Sequence, residues 1–232
     1  LRGILGFRSP QQVMKVAKLV NAKTTMNDTR YSKESLQGNA RLQQDPPGKA
    51  SVYAPGDQLC IDPVKLPVTG FGNKTTVFFT VDSGTDLLRV HATDSKSSAC
   101  AQESVQEYVR QDKVYRNLPF GRRMPYIIKS DSESIFNSAY WFGWLRRETV
   151  KTEESAPWHH RQNGKVERKI GVVWRSAIAM MYNATSLGFK LTNGRSIEEF
   201  FHFALQYAGV IDSYLPSSNL DKKSPYELSE GH

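Results

Sequence analysis

The sequence predicts an α/β fold, a five-stranded mixed sheet flanked by helices, with a short helical N-terminal appendage. Short runs rich in β-branched and aromatic residues alternate with longer segments whose apolar residues recur every three to four positions. Their order is three strands, a helix, a strand, a helix, a strand and two helices, a pattern that closes by packing helices on a central sheet. With 232 residues and 39% hydrophobic content, the chain is long and apolar enough for one packed domain plus an appendage.

The elements follow in order. Residues 1–23 pass from the turn-like FRSP into QQVMKVAKLVNAK, where Val13, Val16, Ala17 and Val20 share one helical face. Residues 24–51 are polar and close on Pro46, Pro47 and Gly48, as a linker does. The main domain, 52–232, opens with the strand pattern DQLCIDPVKL (57–66) and the glycine-bearing turn VTGFGNK. Residues 75–83 and 86–93 complete a three-stranded meander. A helix over 95–113 sets Ala101, Val105 and Tyr108 on one face, and MPYIIKSD (124–131) is a strand ending in an acidic residue. Residues 134–148 read as a helix with Ile135, Ala139, Phe142 and Leu145 inward, followed by a strand over 149–154. After Asn163 and Gly164 comes the longest helical pattern, with Val166, Ile170, Val173, Ala177 and Met181 as its apolar stripe. A last helix covers about 196–215.

Charge narrows the class of partner. Lys and Arg total 31 against 23 acidic residues, a net charge of +8 that favours polyanions, nucleic acid above all. No apolar run approaches the roughly 20 residues that span a bilayer, and LRGILGFRSP lacks the apolar segment of a signal peptide. The chain does not begin with Met, as expected of a piece cut from something longer. Cys60 and Cys100 are too few for a disulfide framework or a Cys-rich zinc site, and are read as buried intracellular thiols.

Three carboxylates stand out. Asp62 lies inside an apolar strand pattern, where Asp is depleted. Asp131 ends the YIIKSD strand, where sheets commonly present functional groups. Glu167 borders the apolar stripe of the long helix, with Gly171, Trp174 and Ile178 on the same side. Taken singly, each has a plainer reading as a turn residue or a solvated ion-pair partner. Together they form the kind of set that could clamp two hard cations around a scissile phosphate.

The spacing and the surrounding motifs are similar to those of a known family. Asp131 and Glu167 are separated by 35 residues, and SAPWHHRQNGKVER resembles the segment of retroviral and retrotransposon integrases that ends in Gln-Asn-Gly-x-x-Glu-Arg. The matching residues are Gln162, Asn163, Gly164, Glu167 and Arg168. PGDQLCIDP resembles the stretch around the family's first Asp, and KSDSESIF its Ser-Asp-Asn-Gly-Gly-Glu-Phe segment. LPSSNLDKKSPYEL is similar to the close of copia-type integrase cores, and LGFRSPQQVMKVAK to the short region before them.

The resemblance implies an RNase H-like fold. It also implies a metal-dependent polynucleotidyl transferase of a retrotransposon, carrying out 3′-end processing of DNA and strand transfer into target DNA. Two Mg²⁺ or Mn²⁺ ions are expected, with Asp62 shared between them, Asp131 on one and Glu167 on the other. Further expectations are a dimer or tetramer, element DNA ends and target DNA as partners, no membrane, and a cytoplasmic particle followed by the nucleus. Arg161, Asn163, Lys165, Arg168 and Lys169 are candidate DNA contacts around Glu167.

The chain departs from the family pattern in two places. Phe7 stands where the family's zinc module would supply a histidine, and residues 1–59 hold no His or Cys, so no structural zinc is expected and 1–23 reads as a zinc-less helical remnant. Glu133 and Ser134 replace the two glycines after Asp131, which predicts a stiffer loop and added negative charge near the phosphate. These departures motivate an alternative, a catalytically decayed DNA-binding or assembly module. His159 and His160 point differently from adjacent positions and are read as phosphate or loop contacts, and Trp141, Phe142 and Trp144 as core or subunit contacts.

Overall fold

A computed structural model describes residues 53–116, 118, 123–154, 164–186, 195–217 and 220–231. The helical remnant, the linker, Phe7, His159, His160, Arg161 and Asn163 all lie outside the described residues.

The chain forms β1 (Gln58–Gly70), β2 (Lys74–Asp82), β3 (Leu88–Thr93), α1 (Ser98–Gln111), the short α2 (Lys113–Arg116) and β4 (Ile127–Ser130). It continues through α3 (Ala139–Arg147), β5 (Lys151–Glu154), α4 (Gly164–Ser186), a 3₁₀ turn (Ile197–Phe200), α5 (Phe201–Tyr214) and α6 (Pro225–Ser229). The five strands make one sheet in the order β3-β2-β1-β4-β5. β1, β2 and β3 pair antiparallel, whereas β1, β4 and β5 run parallel, so the sheet is mixed as expected.

Alternation along the central strands explains the two-sided core. Leu59, Ile61 and Phe78 point to one face, where Ala101, Val105 and Tyr108 of α1 and Trp141, Trp144 and Leu145 of α3 cover them. Cys60, Val77, Phe79 and Val81 point to the other, under Val166, Val173 and Ala177 of α4 and Leu205 and Ala208 of α5. The α4 stripe is therefore the one read from the sequence, with Ile170 and Met181 at its partly buried margins.

Three details differ from expectation. β1 runs on to Gly70, because the VTGFGNK turn is a tight reversal at Phe71, Gly72 and Asn73, with Gly72 and Asn73 at positive φ. α3 starts at Ala139, not 134, because the Ser138 hydroxyl accepts from Trp141 N–H and caps the helix there. Its inward residues are consequently Trp141, Trp144 and Leu145; Ala139 is exposed and Ile135 and Phe142 only partly buried. Cys100 is half-buried, since it lies in the first turn of α1, 3.3 Å from the Ser95 hydroxyl; Cys60 is buried as read.

Candidate active site

Asp62 is placed by the same alternation that builds the core. It shares a face of β1 with Cys60, Val64 and Leu66, the face covered by α4 and α5. β4 runs parallel beside it in the register Leu59↔Ile128 and Cys60↔Lys129. Carrying that register two residues further sets Asp62 level with Asp131, immediately past the end of β4. Both carboxylates are half-buried. Glu167 sits in the first turn of α4, where a negative charge is favoured by the helix dipole. Its side chain is exposed, more so than a position bordering the stripe implied, yet its charge bears on Asp62.

The electrostatics tie these groups together. Burial first, then the charges of Asp131, Glu133 and Glu167, lift the Asp62 carboxyl to about 7, against the opposing pull of Lys96. Burial and Glu133 raise Asp131 as well, while the Glu133 N–H, 3.3 Å from Asp131 Oδ1, works the other way. Three acidic side chains thus bear on Asp62 at the junction of β1, β4 and α4. Such crowding is costly unless a cation offsets it.

The donor set suits a hard divalent cation: carboxylate oxygens alone, presented from rigid elements. A buried Glu133 Oε2, without a hydrogen-bond partner among the described residues, adds an unsatisfied acceptor beside Asp131. As they stand, no three His, Cys, Asp or Glu side chains among the described residues converge closely enough to hold one ion. Asp62, Asp131 and Glu167 would have to turn toward one another on binding.

The basic residues around Glu167 divide into two kinds. Lys165 pairs with Asp86 at 2.5 Å and donates to the Ser83 carbonyl, which ties the start of α4 to the β2–β3 turn. Lys169 pairs with Asp212 of α5 at 2.6 Å, with both side chains largely buried. Both lysines are thus committed to holding α4 in place, whereas Arg168 is exposed. Lys96, which sequence reasoning passed over, reaches Glu133 at 2.5 Å from the segment before α1. Nothing in SKSSACAQ marked it, since the pattern there is that of a helix start.

No family model matches the chain. In sequence it is 26% identical over 204 residues, 87% of its length, to a Pro-Pol polyprotein of simian foamy virus type 3 (strain LK3). A second Pro-Pol polyprotein, of simian foamy virus type 1, is 25% identical over 155 residues, 67% of this chain. The chain spans only 16% and 11% of those polyproteins. In structure it is similar to a chain of a simian T-cell lymphotropic virus intasome in complex with PP2A regulatory subunit B56 gamma. That similarity has a TM-score of 0.58 at 16% identity and covers 95% of this chain and 74% of the other. The HTLV-2 integrase catalytic core domain in complex with magnesium, in its trimeric form, gives a TM-score of 0.53 at 14% identity, over 77% of this chain and 99% of that one. Five mixed strands with helices on both faces, and sequence similarity to retroviral Pol polyproteins, agree: the chain has the RNase H-like fold of an integrase catalytic core.

Proposed function

We propose that the chain is the core of a retrotransposon integrase that trims the 3′ ends of element DNA and joins them to target DNA in a divalent-metal-dependent reaction. The observation that carries this reading is the register of β1 and β4, which sets Asp62 level with Asp131 while α4 brings Glu167 to bear on Asp62. Asp62 and Asp131, on two strands of one rigid sheet, would hold the metal ions together with Glu167. When bound, divalent cations activate the attacking oxygen and neutralise charge on the scissile phosphate. In the first step water displaces the terminal nucleotides and leaves a free 3′-hydroxyl. In the second that hydroxyl attacks a target phosphate and displaces a target 3′-oxygen, with no covalent enzyme intermediate. The protein's share is positioning and charge complementarity, with Arg168 as the exposed phosphate contact beside Glu167.

The copia-type affiliation, rooted in the LPSSNLDKKSPYEL tail, belongs to the same proposal, as do a nuclear site of action and a preceding cytoplasmic particle. An exposed stripe on α5, formed by Phe203, Tyr207, Val210 and Tyr214, supports assembly into a dimer or tetramer. No helix among the described residues is long and apolar enough to cross a membrane.

The exposed position of Glu167 favours one rival, a core that binds DNA without cutting it. A strand-transfer assay with labelled DNA ends, a plasmid target and Mg²⁺ or Mn²⁺ separates the two. The proposal expects metal-dependent joining by the wild type and a loss of at least about a hundredfold in Glu167→Gln. Equal, metal-independent behaviour of both proteins would leave only the binding module.

A further inference from the structure

Helix α3 ends in a hydrogen-bond pattern that calls for glycine and holds threonine instead. Val150 N–H donates to the Leu145 carbonyl at 2.9 Å and Thr149 N–H to the Arg146 carbonyl at 3.2 Å, the paired bonds of a Schellman stop. Thr149 takes its left-handed position, at φ 58°, where a β-branched side chain is crowded and glycine is not. Leu145 and Val150, on either side of the stop, belong to one buried cluster, whereas Thr149 is exposed. Its hydroxyl makes no hydrogen bond among the described residues. Arg146, Arg147 and Lys151 are exposed around it and take part in no ion pair among the described residues. Basic residues in a last helical turn are ordinary company for its carbonyls. The unpartnered hydroxyl just beyond them is not. In the whole sequence, Thr149 is the one serine or threonine with an arginine three residues before it, and Arg147 adds a second at two before.

From this placement we infer that Thr149 is a phosphorylation site for a protein kinase whose substrate groove is lined with carboxylates. The Arg146 and Arg147 guanidiniums are free to pair with such carboxylates, two bonds at a time, and Val150 supplies an apolar contact directly after the acceptor. In the reaction the Thr149 hydroxyl oxygen bonds to the γ-phosphorus of ATP. The bond from that phosphorus to the β,γ-bridging oxygen breaks, ADP leaves with the electron pair, and the hydroxyl proton passes to the kinase's base. A kinase groove takes an extended segment, so the stop has to open. Crowding of Thr149 in the left-handed region lowers the cost of opening, and β5, which follows, is an edge strand held on one side only. The product carries about two negative charges where Arg146, Arg147 and Lys151 face one carboxylate, Glu148, and so cancels most of the positive charge of this edge.

Incubating the folded 232-residue chain with ATP and the catalytic subunit of cyclic-AMP-dependent protein kinase, an arginine-directed enzyme, tests this. Intact mass and peptide fragmentation read the number and position of phosphates. One phosphate at Thr149 is expected, lost in Thr149→Ala and kept in Thr149→Ser. Arg146→Ala and Arg147→Ala are each expected to slow its addition about tenfold or more, as the loss of a charge-assisted contact implies. Unchanged thermal melting would show that each variant is folded. A synthetic peptide of residues 142–154 measures what the sequence alone allows. If the peptide is phosphorylated and the folded chain is not, the stop keeps Thr149 from the kinase and the proposal is overturned. Phosphate on neither, phosphate only at other residues, or a rate indifferent to both arginines overturns it as well.

Discussion

Asp112, the residue that ends α1, shows what burial does to a carboxylate that has no part in the proposed chemistry. It is 2% exposed and accepts from the Val114 N–H at 3.0 Å, and burial lifts its carboxyl to about 6. A folded-state value above the unfolded one of about 4 means the native protein holds this proton more tightly than the unfolded chain. Its contribution is therefore fully present below about pH 4 and is lost as pH rises through about 6. Asp112→Asn, which cannot ionise, is expected to match the wild type in urea unfolding at pH 4 and to exceed it by up to about 2–3 kcal/mol at pH 8. The same substitution with no pH-dependent gain would mean that the charge is compensated. Asp82 marks the limit of reading residues singly. Like Asp131 it lies at the end of an apolar strand, but it is fully buried and accepts from Gly56 N, Gly84 N, Thr85 N and the Tyr115 hydroxyl. The sequence pattern around the two is alike; their partners, brought in from distant segments, separate a structural clamp from a candidate ligand.

At the scale of elements, the Asp82 clamp gathers the turn after β2 against the segment that precedes β1. Gly84 lies where the two touch: a Cβ there would meet Ala54 C and Pro55 N at 2.5 Å, backbone atoms with nowhere to go. Gly84→Ala is expected to destabilise the fold by about 2 kcal/mol or more, read as a lower urea midpoint with unchanged slope. A neutral result would mean that the strand leading into β1 is free to shift. The strands, α1 and α4 were legible because period-two and period-3.6 patterns follow from which face each residue buries, as Val166, Val173 and Ala177 show. The start of α3 was not, because FNSAYW has several places where a helix could begin. The Ser138 cap, together with the Ser98 hydroxyl on the Ile135 carbonyl, chooses among them only once the fold is formed. The ion-pair partners of Lys165 and Lys169 were not legible for a related reason. Asp86 and Asp212, which pair with them, come from other elements.

For the whole molecule, the parallel pairing of β4 against β1 sets Asp62 level with Asp131, and α4 packs on the same face with Glu167 exposed in its first turn. That juxtaposition was partly legible, because strand ends and helix stripes are readable and the 35-residue gap resembles a family spacing. The Lys96–Glu133 pair was not, since nothing local predicts which segments meet across the site. In the proposed function, Asp62, Asp131 and Glu167 close on a divalent cation. Anomalous scattering from crystals of the chain grown with Mn²⁺ tests it most directly. A manganese peak is expected between β1, β4 and α4, with Asp62 and Asp131 oxygens about 2.0–2.3 Å from the ion. Manganese bound elsewhere, or none at millimolar concentration with all three carboxylates left apart, would contradict it.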